Sequence, residues 1–184
     1  MRVRGPEVLF IAWAIHDVEE ALAFPATCDD LANRTGIEHL RIDAHQSWTA
    51  VGIMGAIVAT ACWRGYRTGG RSRMYRAVLA GLEGHVYTHL AASAGLRRYT
   101  AGVATAVPIM LPAVVAARRE LQLAGPPLET LDFVRGAFVL IPGAIISQML
   151  ARLLPGREKP RGPGTSAGGA RSSERSAGRK GSTR

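Results

Sequence analysis

The sequence predicts an all-α integral membrane bundle of about five transmembrane helices, followed by a disordered basic tail. Five apolar stretches of roughly 16–24 residues match the ~20 residues that a helix needs to cross the hydrocarbon core of a bilayer. Two of these stretches carry no charged residue and so present no polar face, which is typical of a membrane-spanning or fully buried helix. Prolines inside the stretches indicate the same class, because membrane helices tolerate them where neighbouring helices satisfy the freed carbonyls.

The stretches follow one another along the chain at residues 8–24, 48–63, 77–96, 100–117 and 131–154. Small residues recur in the second and fourth stretches, where they allow neighbouring helices to approach closely. Trp48 and Trp63 bracket the second stretch, as expected for aromatic residues at the two membrane interfaces. Pro108 and Pro112 lie one turn apart in the fourth stretch, and Pro142 interrupts the fifth. The alternative is a soluble helical bundle with an unusually apolar core, which the uncharged stretches disfavour.

Four ionisable residues interrupt the first stretch: His16, Asp17, Glu19 and Glu20. Glu19 and Glu20 follow His16 by three and four positions, so the three share one helix face, and Asp17 flanks that face. At membrane depth each ionisable group costs at least about 2.5–3.5 kcal/mol, and such groups usually face a protein or water interior and carry function. The stretch therefore predicts an intramembrane functional site.

The third stretch carries a matching pair, His85 and His89, again four positions apart on one face. Glu83 lies about 200° from His85 around the helix and is predicted to point elsewhere. Counted from the start of each stretch, the pair His16 and Glu20 and the pair of third-stretch histidines both lie at about 12 and 18 Å along their helices. Because the first and third stretches enter from the same side, the two pairs are expected to meet at one depth.

Two chemistries fit these side chains. In the first, His16, Glu20 and His89, with His85 as a further candidate, bind a divalent zinc or iron ion and leave a position open for water. Glu19 then acts as general base or orients a metal ligand. In the second, the same groups form a neutralised hydrogen-bond network that locks the bundle or relays protons. Neither chemistry requires a sulfur ligand.

The connection between the third and fourth stretches reads R-Y-T-A-G from residue 98. We expect Arg98 to lie among lipid headgroups, Tyr99 at the membrane interface and Thr100 at the N-cap of the fourth helix. Gly102 and Thr105 favour close helix packing. Packing and capping explain this segment, and a phosphate or headgroup site is the lesser alternative. The acidic segment 25–47 is predicted to be a solvated loop, and a cap over the site is the lesser alternative.

Taken together, H-D-V-E-E at residues 16–20, a histidine in the third stretch (His89), R-Y-T-A-G at residues 98–102 and then Thr105 resemble the HxxEE family of small bacterial membrane proteins. The resemblance covers roughly residues 8–117. It implies a bacterial membrane location and the same choice of site residues, and it implies no reaction. The family pattern often has Pro where this chain has Ala101, and His85 is not part of it.

The helical domain is predicted to span residues 1–155 and the tail residues 156–184. The tail holds eight Lys or Arg and two Glu, and the net charge of +9 mostly reflects this tail and the Arg-rich connections. Without aromatic or aliphatic β-branched residues the tail cannot bury enough apolar surface to fold. We expect it to contact anionic lipid headgroups rather than nucleic acid. The Arg-rich connection at residues 64–76 favours a cytoplasmic N-terminus, although the tail argues for the reverse.

Three function classes follow. The first is a metal-dependent membrane enzyme of hydrolase type that acts on a lipid-like substrate. The second is a small transporter or proton-relay protein in which the His/Glu chain is the pathway. The third is a non-catalytic membrane partner in which the cluster is structural and the tail makes the contacts.

Overall fold

The computed structural model describes residues 4–154, and all regular secondary structure in that range is helical. The predicted disordered tail lies outside the described residues. The elements, in chain order, are α1 (Gly5–Thr35), a 3₁₀ turn (Glu38–Leu40), α2 (Ala44–Arg67), α3 (Arg73–Leu96), α4 (Val103–Thr105), a π-helical turn (Ala106–Met110), α5 (Leu111–Ala124) and α6 (Thr130–Leu153). The all-α prediction is confirmed for this part of the chain.

Short polar residues and glycine set the helix ends. Asp43 caps α2 by accepting a hydrogen bond from the Gln46 N–H at 2.7 Å, and Ser72 caps α3 in the same way. Side-chain oxygens satisfy N–H groups that have no intrahelical partner in the first turn. Gly36 ends α1 in a left-handed conformation with φ 73°, where the N–H reaches the carbonyl of Ala32.

The first helix is longer than the apolar stretch that predicts it. It continues through Pro25 to Thr35, so residues 25–35 are helical and the predicted loop begins only after Gly36. The acidic groups of this extension lie on its solvated end, where Arg34 pairs with Asp30 at 2.7 Å. The prediction of a loop is therefore wrong for residues 25–35, although their charged side chains are exposed or partly exposed.

The fourth apolar stretch contains a π-helical turn between two α-helical parts. At the turn the Leu111 N–H donates to the carbonyl of Ala106, five residues earlier. Pro108 lacks an N–H and its ring crowds the preceding turn, which is a common cause of such irregularity in a helix. The helical run begins at Val103, and its N-cap residue is Gly102, which has no side chain to cap it. The prediction that Thr100 caps this helix is therefore wrong.

The helices pack into one bundle in which α3 lies against α6 and α1 against α2. At the α3–α6 crossing a Cβ on Gly136 would approach the backbone N and Cα of Gly81 to 2.6 and 2.8 Å, so the two backbones are nearly in contact. Small residues permit this kind of close approach. Aliphatic side chains such as Leu79, Val86 and Val114 fill the core between the helices.

Replacing Gly136 with alanine is expected to lower the free energy of unfolding by about 1–3 kcal/mol, because the added methyl group must push two backbones apart. The matched control is Gly52→Ala in α2, where an added Cβ meets nothing within 4 Å. Removing a glycine from an open helical position stabilises a helix by about 1 kcal/mol. Thermal unfolding of both variants in detergent measures the difference, and equal melting temperatures would contradict the close crossing.

The outer surface of the bundle is unusually apolar. Within residues 4–154, one helix, Thr130–Leu153, is long and apolar enough to cross a membrane, and only 11% of its apolar window is buried inside the protein. Large apolar side chains also face outward from α1, including Ile11 and Leu22. The prediction of five membrane spans is not confirmed by length and composition and stays a prediction.

Candidate metal centre

Two helices bring four side chains that could bind a metal ion to one point. His16 and Glu20 lie one turn apart on α1, and His85 and His89 lie one turn apart on the facing side of α3. One ligand atom from each of the four lies within 4.8 Å of the others, and the group could hold a metal ion. His16 and His89 are buried, whereas His85 and Glu20 are partly exposed.

The spacing of the donor atoms resembles the edges of a coordination polyhedron. His89 Nε2 lies 3.2 Å from His16 Nε2 and 2.9 Å from His85 Nε2. Its distance to Glu20 Oε1 is 3.3 Å, and the distance from His85 Nε2 to Glu20 Oε2 is 3.9 Å. Ligand atoms around a tetrahedral zinc ion with bonds of about 2.0 Å lie about 3.3 Å apart. These four separations scatter around that value, within a set of donor atoms that all lie within 4.8 Å of one another.

Hydrogen bonding alone does not account for this convergence. An imidazole nitrogen carries either one proton or one lone pair. His89 Nε2 has three close polar neighbours, contributed by His16, His85 and Glu20, so neither a single proton nor a single lone pair can serve them all. A cation at the centre would accept a lone pair from each nitrogen and would also neutralise the carboxylate.

The outer ring nitrogen of His16 is held by a hydroxyl group. His16 Nδ1 lies 2.8 Å from Thr105 Oγ1, and the Thr105 hydroxyl donates its proton to Glu19 Oε2 at 2.6 Å. Because that proton is already used, the hydroxyl oxygen must accept from His16 Nδ1–H. The tautomer that results leaves the Nε2 lone pair of His16 directed into the cluster, as metal-binding histidines require.

All the hydrogen bonds of Glu19 are made away from the cluster. Its carboxylate accepts from the Tyr99 hydroxyl at 2.5 Å, the Ala104 N–H at 3.2 Å and the Thr105 N–H at 2.8 Å, besides the Thr105 hydroxyl. It thereby caps the first turn of α4. Burial, reinforced by the hydrogen bond to Glu19, raises the pKa of Tyr99 to about 12, so the phenol stays protonated and donates at neutral pH. Glu19 is therefore placed to orient His16 through Thr105.

Gly102 lies against the two buried imidazole rings. A Cβ at this position would come within 2.5 Å of His89 Cε1 and 2.9 Å of His16 Cε1. Its φ of 85° also lies in the left-handed region that favours glycine. The neighbouring backbone at Ala101 accepts a hydrogen bond from the His89 ring. The R-Y-T-A-G segment therefore closes over the cluster from the α4 side.

The remaining predicted motif residues hold this segment in place. Arg98 forms an ion pair with Asp30 near the end of α1, and the Thr100 hydroxyl lies 2.6 Å from Ser93 Oγ on α3. The structure thus gives Arg98 a protein partner in the solvated extension of α1. Glu83, expected to point elsewhere, pairs with Arg118 of α5 at 2.5 Å.

Two cavities open onto the exposed side of the cluster. The first, of about 510 Å³, lies between α3 and α6 and is called the α3/α6 cavity. The second, of about 560 Å³, lies between α2 and α6 and is called the α2/α6 cavity. Asp17, Glu20 and His85 line both. Glu19 lines neither cavity, so the adjacent residues Glu19 and Glu20 lie in different surroundings.

The sequence predicted that the four donor residues lie at one depth, but it did not predict which surrounding residues hold them in position. The i, i+4 spacing of both pairs is a helical signal and is independent of the tertiary contacts. The roles of Thr105 and Gly102 arise from an approach between residues that lie far apart in sequence, and the only sequence signal was their place after the R-Y-T motif. Asp17 was expected to flank the site, and it lies there buried.

Comparison with known proteins places the chain by its motif. No curated protein and no solved structure matches it. A family model described as protein of unknown function with HXXEE motif matches residues 8–117. The matched region includes all four donor residues and the segment that closes over them. The chain therefore belongs to the HXXEE family of unknown function.

Proposed function

We propose that this chain is a multi-pass membrane protein whose described helices lie in lipid. The most apolar helix, α6, turns Phe138 outward with an exposure of 76%. A soluble protein would bury its most apolar helix, since contiguous exposed apolar surface favours association or a membrane. The Arg-rich end near residues 64–76 supports a cytoplasmic position for that end of the bundle, and with it for the N-terminus.

Within this bundle, we propose that the His/Glu cluster is a divalent metal centre. The observation that carries this proposal is the convergence of three imidazole Nε2 atoms and one carboxylate on a common point. His16, His89 and Glu20 would be the fixed ligands, and His85 would contribute from the cavity side. Zinc or ferrous iron suits imidazole and carboxylate donors.

A hydrolase acting on a lipid-like substrate is the function that this centre supports best. A divalent ion supplies polarisation of a carbonyl or phosphoryl oxygen and activation of water. In ester hydrolysis the water oxygen bonds to the carbonyl carbon, the ester C–O bond breaks, and the proton ends on the leaving oxygen. The chain's own part is to hold the donors, to fix the tautomer of His16 through Thr105 and Glu19, and to present the site to the two cavities. The partly exposed Glu20 and His85 are the donors nearest to a bound substrate.

The test is hydrolysis of a fluorogenic long-chain acyl ester by the purified chain in detergent micelles. We expect turnover that a chelator removes and that added Zn²⁺ or Fe²⁺ restores, because the ion supplies the activation of water. Glu20→Gln is expected to lower turnover by at least about 10-fold by weakening the metal site, with the exposed Glu38→Gln as control. Metal-loaded protein that hydrolyses neither ester nor amide substrates would argue against the enzyme.

A proton relay is the second candidate, and an unbroken series of short polar contacts supports it; in this function an added proton would lie between the Nε2 atoms of His16 and His89. The series runs from Tyr99 through Glu19 and Thr105 to His16 and then on to the two α3 histidines. Proton flux into proteoliposomes distinguishes the two functions. Flux that persists after chelation and disappears in Thr105→Val would favour the relay, whereas metal-dependent hydrolysis without flux would favour the enzyme.

A further inference from the structure

The two cavities beside the cluster differ in character and meet at the proposed metal centre. Their shared lining consists of Asp17, Glu20 and His85 with Met54, Ala144 and Ile145. One cavity extends from this junction along α6 toward the start of that helix, and the other extends toward its end. A single elongated molecule could therefore occupy both and cross the cluster at its middle.

The α3/α6 cavity is suited to an apolar chain. Phe133, Leu140 and Ile141 of α6 line one wall, and Trp13 of α1 reaches it from the core. Gly84 of α3 lines the opposite wall, and a Cβ there would meet nothing within 4 Å, so the space in front of this glycine is open. The lining lies in the middle of α3 and α6, at the depth of acyl chains if the bundle spans a bilayer.

The α2/α6 cavity is suited to a polar, negatively charged group. It reaches Arg152 and Gln148 near the end of α6 and His39 in the 3₁₀ turn. Arg152 donates one hydrogen bond, to the His39 carbonyl at 2.5 Å, and forms no salt bridge with residues 4–154. Ser147 Oγ, in the lining of this cavity, is buried without a hydrogen-bond partner in the same range. The buried Ser147 hydroxyl calls for a polar partner. The exposed Arg152 guanidinium has donors free for a charge-assisted hydrogen bond to an anionic group in the same cavity.

We propose that the substrate is a single-chain amphiphile with an anionic headgroup, bound with its acyl chain in the α3/α6 cavity and its headgroup near Arg152. This inference rests on the proposed function and names its substrate class. The ester or amide linkage joins chain to headgroup, so it lies at the junction where Glu20 and His85 are exposed. The span from Phe133 to Arg152 on α6 is about 28 Å at ~1.5 Å per residue, which accommodates an extended chain and its headgroup.

The experiment measures binding of a lysophosphatidylglycerol that carries bromine on its acyl chain. Bromine quenches tryptophan fluorescence on contact, and Trp13 is the buried reporter in the α3/α6 cavity. Trp48 and Trp63 are exposed and are replaced by phenylalanine in all proteins compared. The full chain is studied in bromine-free micelles with a small fraction of the probe, in metal-free and metal-loaded forms.

In this assay Gly84→Leu is expected to weaken binding by about tenfold or more, because the side chain fills the cavity. The matched control is Gly95→Leu on the same helix, which also meets nothing within 4 Å but does not line the cavity. Ala137→Leu, on the α6 wall, is a second cavity-filling variant in case Gly84→Leu does not fold. Arg152→Gln is expected to remove the preference for lysophosphatidylglycerol over the zwitterionic lysophosphatidylcholine.

The outcomes separate this inference from the proposed function. Two results would overturn the substrate class even if the protein hydrolyses other esters. One is quenching that neither cavity-filling variant reduces, and the other is equal binding of both lipids by the protein that retains Arg152. Specific binding by the metal-free form without any metal-dependent hydrolysis would sustain the binding site and reject the enzyme.

Discussion

Replacing His16 with alanine is expected to abolish stoichiometric metal binding. His16 is fully buried, and its Nε2 faces the ring nitrogen of His89 at 3.2 Å. Losing a residue that supports a ligand typically lowers metal affinity by about 10–100-fold, and losing a ligand from the buried side should cost more. Metal analysis of the detergent-purified full chain measures the loss.

The control for this experiment is His45→Ala. His45 is exposed at the start of α2 and lies outside the cluster, so its replacement should leave the metal content unchanged. Circular dichroism and size-exclusion profiles establish that both variants keep the fold. Wild-type protein that takes up neither Zn²⁺ nor Fe²⁺, or a His16→Ala variant that retains as much metal as wild type, would contradict the metal centre.

Much of the cluster could be predicted because its geometry is local. Residues four apart on a helix share a face whatever the helix packs against. The spacing in the sequence therefore suffices to pair His16 with Glu20 and His85 with His89. Their equal depth follows from the chain entering the bundle from the same end at α1 and α3. The all-α class follows equally directly from uncharged stretches of helical length.

The surroundings of the cluster could not be predicted, because they depend on long-range approaches. The contact between Glu19 and Thr105 joins residues 86 positions apart. Glu19 lies about 60° from His16 around the helix. Only the packing of the bundle decides whether its carboxylate faces the candidate donor residues or the start of α4. The π-helical turn at Ala106–Met110 also shifts which residues of that run face inward.

The membrane assignment shows where sequence pattern and helix geometry diverge. A run of apolar residues can end before its helix does, as at Pro25, where α1 continues into a charged extension. A run can also cross an irregular turn, as residues 100–117 do. The ionisable side chains of the His/Glu cluster also lower the mean hydropathy of α1 and α3, the two helices that carry the cluster. Exposed large apolar side chains lie on α1 and α6, and the placement of these helices in a bilayer stays a proposal.

Replacing Gly102 with alanine is expected to damage the metal centre far more than its backbone conformation alone explains. Any non-glycine residue with φ near 85° costs roughly 1–2 kcal/mol. Here the added methyl group would also come within 2.8 Å of His89 Nδ1 and 2.9 Å of His16 Cε1. Both rings must rotate or shift to relieve the contact, and a displacement of two ligands at once should lower metal affinity by at least about 10–100-fold.

Gly36→Ala isolates the backbone contribution. Gly36 has a similar left-handed φ of 73°, and an added Cβ there meets nothing within 4 Å. Both variants should lose comparable stability from the backbone, but only Gly102→Ala should also lose metal affinity, as measured by competition with a chromophoric chelator. Equal affinity in the two variants would mean that the imidazole rings do not depend on the R-Y-T-A-G segment for their position. A selective loss at Gly102 would identify this glycine as the residue that lets the segment close over both histidines.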